Sequence, residues 1–142
     1  MPYLIDGNNL LGAMRMDRQS EDSKRNLVRM LAAFARSKRA RVRCIFDGPE
    51  PSSFARDLGP LTVVFSGARS ADDLIAEQAG QGRGWTVITS DRALGARVQR
   101  RHVDVVAPSQ FMKELDAASS EQAASVDDWA EYFSDPKNRL KF

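Results

Sequence analysis

Cysteine, histidine and long apolar runs are nearly missing from this 142-residue chain, and each shortage closes off a class of function. The single cysteine, Cys44, has no partner for an internal disulfide or a cysteine-based zinc cluster; inside an apolar run it reads as a small buried hydrophobe. The single histidine, His102, follows Arg100 and Arg101 and reads as a surface residue rather than a base or ligand. A Ser-His-Asp set is therefore poorly supported. So is nucleotide triphosphate hydrolysis, since no Gly-x-x-x-x-Gly-Lys-Ser/Thr loop is present. No stretch approaches the ~18 apolar residues of a membrane span. The N-terminus lacks the basic region and apolar core of a signal peptide. The expectation is a cytoplasmic protein in a reducing setting, without membrane contact. Internal repeats are absent. Neither sign of charge prevails: 21 Lys plus Arg against 19 Asp plus Glu leave a net +2, so the total does not by itself call for nucleic acid.

What is present is a recurring pattern. Pro2-Tyr3-Leu4-Ile5 stops at Asp6-Gly7-Asn8-Asn9; Val42-Arg43-Cys44-Ile45-Phe46 stops at Asp47-Gly48; Trp85-Thr86-Val87-Ile88 stops at Thr89-Ser90-Asp91. An apolar run ending in an acid is a buried strand delivering a polar group to its C-terminal end. Three of them suggest carboxylates meeting at one sheet edge, where open α/β sheets place ligands. Further strands are expected at 61–65 and 103–106. Helices are expected over 21–38, where Leu27, Leu31, Phe34 and Ala35 share a face, over about 71–80 and 91–99, and from Pro108 to about 117. Ser20 or Asp22 would cap the first of these. The strand at 61–65 is parallel only if residues 48–60 cross over, and a partly helical crossover is expected. This order argues an α/β protein with a mostly parallel sheet covered on both faces. Residues 1–117 form the domain. Residues 118–142 read as a linker followed by a short amphipathic helix on Val126, Trp129, Ala130 and Phe133 and a tail.

The carboxylates carry the chemistry. Asp6, Asp47 and Asp91 end strands, and Ser70-Ala71-Asp72-Asp73 opens a helix. With Ser70 as N-cap, Asp73 completes a capping box and Asp72 is left to point forward. Each acid also has a structural reading: Asp6 and Asp47 as turn residues, Asp91 as a helix cap, and Glu77 as a solvated or supporting group. Two carboxylates about 4 Å apart repel by roughly 4 kcal/mol at an effective dielectric of 20, so such a cluster stays ionised only beside cations. Oxygen ligands without His or Cys select Mg²⁺ or Mn²⁺. One or two such ions suit phosphate chemistry.

These motifs, in this order, resemble the NYN domain, a branch of the PIN-like nucleases, and most closely its bacterial YacP-like group. The resemblance spans residues 1 to about 115. It implies a three-layer α/β/α sandwich and a metal-dependent endoribonuclease acting on single-stranded RNA, leaving 5′-phosphate and 3′-hydroxyl ends. It matches Asp6, Asp72 and Asp91 to the family's acids, Asp47 less securely, and Asn9 to the family's asparagine, with Asn8 beside it. On this view Asp6, Asp47, Asp72 and Asp91 are both catalytic and metal-binding. Asn8, Asn9, Arg69, Ser90 and Arg92 are substrate-binding; Ser90 otherwise merely shapes its turn, and Arg92 neutralises nearby acids. Arg15, Arg18 and Arg83 are further cations to place. Arg36, Lys38, Arg39, Arg41 and Arg43 are grouped at a helix end opposite the acids, where helix-dipole pairing explains them better than a nucleic-acid contact does. Phe54 either stacks a base or packs. The RNA is mRNA or ribosome-associated RNA, and the chain a monomer or weak homodimer. Rival readings are a non-catalytic RNA- or ribosome-binding module, a toxin-type PIN nuclease with an antitoxin partner, and a phosphohydrolase. Asp6-Gly7-Asn8 lacks the second acid of the last.

Overall fold

In the computed structural model, residues 2–51, 54, 56–81, 84–100 and 103–125 are described, the last seven as backbone only. Six strands form one sheet: β1 (Tyr3–Asp6), β2 (Val42–Phe46), β3 (Asp57–Leu58), β4 (Leu61–Phe65), β5 (Thr86–Ile88) and β6 (Asp104–Val106). Their order across the sheet is β3-β4-β2-β1-β5-β6. All neighbours are parallel except β3, which pairs antiparallel with β4.

Among the described residues, five helices cover the two faces. α1 (Gly7–Ala13), α2 (Glu21–Lys38) and α5 (Pro108–Ser125) share one core with Ile5, Val42, Cys44, Val63 and Ile88. α3 (Ala71–Gln81) and α4 (Arg92–Gln99) share the other with Leu4, Ile45 and Val87. Alternate residues of β1 thus feed opposite cores, which is why its apolar run is unbroken. The predicted face of α2 is buried throughout, at Leu27, Leu31, Phe34 and Ala35. Of the two candidate caps, Ser20 acts: its Oγ accepts from Ser23 N at 3.2 Å. Cys44 is buried, and that burial pushes its thiol pKa up.

Two local expectations fail. No helix forms among the described residues of 48–60. Pro49 and Pro51 remove donors there, and Gly59, at φ +69°, with Pro60 turns β3 back onto β4 with Leu58 opposite Leu61. The composition of Ala117–Ser125 suggested a linker, yet the backbone stays helical to Ser125. Ala, Glu and Gln are strong helix formers, and the preceding turns are anchored by buried Phe111, Leu115 and Ala118. The amphipathic segment on Val126, Trp129, Ala130 and Phe133 lies outside the described residues, as do His102 and Arg83. No helix among the described residues is long and apolar enough to cross a membrane.

Candidate active site

β1 lies where the chain reverses direction across the sheet. From β1 the chain moves to β2 and β4 on one side, then returns through α3 to β5 on the other. Loops diverge at such a point and leave a crevice beyond the strands' carboxyl ends. The parallel register places Asp6 beside Ile45 and Ile5 beside Ile88, so Asp47 and Asp91 emerge just past the same edge. The first turns of α3 and α4 start there, bringing Asp72.

Asp6 is 5% exposed and accepts a hydrogen bond from Thr89 Oγ1 at 3.1 Å. Its pKa is pushed up to about 6, chiefly by burial. The charges of Asp72 and Asp47 add to the rise, while the Thr89 hydroxyl and the Asn9 N–H oppose it. Asp72 is also held above the ordinary carboxylate range, by burial first and then by the charges of Asp91 and Asp47; Asp91 lies within hydrogen-bond reach of it. These carboxylates therefore feel one another. Two of them also hold the frame: Asp91 Oδ1 caps α4 by accepting from Leu94 N at 3.1 Å, and Asp47 Oδ1 accepts from Ala71 N at 2.8 Å, joining the end of β2 to the start of α3. Asp73 turns away. Its N–H donates to Ser70 Oγ and its carboxylate pairs with Arg97 at 3.1 Å, which holds its pKa down.

The asparagines act as clamps. Asn8 Oδ1 accepts from Asp47 N at 3.1 Å, and Asn9 Oδ1 accepts from both Ser90 N and Ser90 Oγ, at 2.9 and 3.1 Å. Both sit in α1, so this short helix stitches the strand-end loops on either side of β1. α1 lies so close to β2 that a Cβ on Gly7 would fall 2.5 Å from a ring carbon of Phe46. Gly48, after Asp47, has φ +97°, a conformation L side chains rarely adopt. Its N–H donates to buried Ser66 Oγ.

Thr89 is the functional residue that sequence reasoning passed over. The residue is 2% exposed, and its hydroxyl donates to Asp6 and accepts from Asp91 N at 3.1 Å, so one side chain ties two of the acids. The signal was its place directly before Ser90-Asp91 at the end of an apolar run.

The cations are dispersed. Arg69 pairs with exposed Glu77 at 2.7 Å rather than reaching the acids. Arg92 is exposed on the first turn of α4. The basic group Arg36–Arg43 lies at the opposite sheet edge; within it Arg43 donates to Gln78 Oε1 at 2.6 Å and covers Trp85. Arg18 lies over Gly12, and Arg15 occupies a left-handed turn at φ 59°. Phe54 packs: its ring meets Phe65 at 5.2 Å and Phe46 at 6.4 Å.

All donors at the edge are hard oxygens. Among the described residues no three acids converge closely enough to enclose an ion by themselves.

Three layers, with carboxylates gathered at the switch-point edge of a mostly parallel sheet, define an open-sheet α/β protein. The family model described as the YacP-like NYN domain matches residues 3–141, and the chain belongs to that family, which is nuclease-like and RNA-related. The match runs beyond about residue 115, the limit of the resemblance read from the sequence. The fold is similar to the crystal structure of Rae1 (YacP) from Bacillus subtilis, at 18% identity and a TM-score of 0.77 over 99% of this chain and 87% of that one. It is also similar to the W164L mutant of that protein, at 19% identity and a TM-score of 0.71 over 85% and 77%. No curated protein matches the sequence.

Proposed function

We propose that the chain is a metal-dependent endoribonuclease that hydrolyses phosphodiester bonds of single-stranded RNA. The observation that carries this reading is the gathering of Asp6, Asp47, Asp72 and Asp91 at one sheet edge, where burial and the charges of neighbouring acids push Asp6 and Asp72 up. Carboxylates gathered at one edge suit a divalent ion. Mg²⁺ or Mn²⁺ fits an all-oxygen donor set, and Mg²⁺ commonly takes only one or two carboxylates and completes its shell with water and phosphate oxygens. That matches acids that do not enclose an ion unaided.

In this reading Asp72 and Asp91 hold the ion or ions, with Asp6 behind them. When bound, the metal lowers the pKa of a water and offsets charge on the phosphate. Thr89 keeps Asp6 oriented, and Asn9 fixes the Ser90 loop. Water attacks phosphorus in line; a new P–O bond forms, the bond to the 3′-oxygen breaks, and that oxygen takes up a proton. The ends are 5′-phosphate and 3′-hydroxyl. Arg92 is the exposed cation nearest Asp91 in the chain and is assigned to a flanking phosphate. mRNA or ribosome-bound RNA in the cytoplasm is the substrate class.

The test is cleavage of a labelled single-stranded RNA with Mg²⁺ or Mn²⁺, with EDTA and with Asp6→Asn. Cleavage that needs both the metal and Asp6 is the expected result. RNA that binds but stays intact under every metal and with added ribosomes overturns the reading in favour of a binding module.

A further inference from the structure

The layer of α3 and α4 carries a second concentration of charge, which begins beside the acid edge and leads away from it. A groove of about 510 Å³ is lined there by Arg69, Asp73, Ala76, Glu77, Arg97 and Arg100. We propose that this groove is the track of the RNA backbone on one side of the scissile phosphate, with Arg69, Arg97 and Arg100 each receiving a phosphodiester. The proposal rests on the ribonuclease reading above.

Continuity comes first. Asp73 follows Asp72 in the chain, and Arg97 binds Asp73 while its charge also lowers the pKa of Asp72. One guanidinium thus serves both the acid edge and the groove. Charge is next. Three arginines face two carboxylates, Asp73 and Glu77, and Arg100 has no carboxylate partner among the described residues. Exchange is cheap as well. The pairs Arg69–Glu77 and Arg97–Asp73 are about half exposed on both sides. Such exposed pairs are weak, being screened by solvent, whereas a guanidinium fork receives a phosphate by two parallel hydrogen bonds. The carboxylates keep the arginines extended over the groove until a phosphate displaces them. Arg43, by contrast, is held by Gln78 and Trp85 at the far edge and is not available in this way.

The test uses the full chain carrying Asp6→Asn, so that RNA is bound but not cut, and a fluorescent twelve-nucleotide oligo-U titrated at several salt concentrations. Adding Arg97→Gln with Arg100→Gln should weaken binding at least ten-fold and reduce the slope of log K against log salt by about 1.4, two contacts at about 0.7 each for a single strand. Asp73→Asn with Glu77→Gln, which frees the arginines, should tighten binding, a gain that misfolding cannot produce. In the otherwise wild-type chain the arginine pair should lower kcat/KM for the twelve-mer more than for a trinucleotide. Unchanged affinity and slope in both double variants overturn the groove. Altered binding with no cleavage by the wild type supports the groove and sinks the nuclease reading instead. Absence of any RNA binding overturns both.

Discussion

Asp6 is a buried acid whose folded-state pKa, about 6, lies above the ordinary 3.8. Between those values the folded chain binds the extra proton, so stability falls as pH rises through this window. At 1.36 kcal/mol per unit the loss is about 3 kcal/mol by pH 7, and Asp72 adds to it with the same sign. Asp6→Asn should therefore melt higher than the wild type at pH 7 and show a flatter pH profile from 4 to 7. Mg²⁺ should raise the melting temperature of the wild type at pH 7 and do so much less in this variant; a wild type indifferent to both pH and metal would contradict the site. At Asp91 two roles separate by substitution. Asparagine still caps α4, so Asp91→Asn should melt like the wild type and lose cleavage, while Asp91→Ala should also lose about 1 kcal/mol of stability. Gly7→Ala would push α1 from β2, against buried Phe46, costing about 1–3 kcal/mol and displacing Asn8 and Asn9. The acids were legible as residues, because each ends an apolar run or opens a helix. The clamps were not: the partners of Asn9 lie 81 positions away in the chain.

At the scale of elements, the legible pieces were those with their own local signal. α2 has a cap, a periodic face and acids in its first turn; Ser20→Ala should cost about 1 kcal/mol in chemical denaturation without changing cleavage. The crossover from β2 to β4 was misjudged as partly helical, since parallel neighbours need a long connection and such connections are usually helices. Here prolines break the segment and β4 recruits the adjoining residues as a hairpin. The run after Ala117 was misjudged in the other direction, because small residues serve linkers and helices alike, and only the docking of the preceding turns against α2 decides between them.

For the molecule as a whole, α5 closes the layer formed by α1 and α2. Phe111 is fully buried and stacks edge-on against Phe34 at 5.0 Å, with Tyr3 at 5.8 Å. Phe111→Ala should cost about 3–5 kcal/mol and release the helix from the domain. Protease protection of α5 in the wild type, lost in the variant, is the check. By itself, the order of apolar runs, caps and periodic helices determined an α/β protein, its parallel sheet and the acids at its edge. These depend on neighbours in the chain, where period and capping act. Only the tertiary structure decided which side of each acid is used: Asp73 toward Arg97, Asp47 toward Ala71, Asp6 toward Thr89. It alone turned Arg69 to Glu77 and gave the asparagines to the loops. Hydrogen bonds and burial between distant segments settle such choices, and their energies exist only once the sheet has brought β1, β2 and β5 side by side.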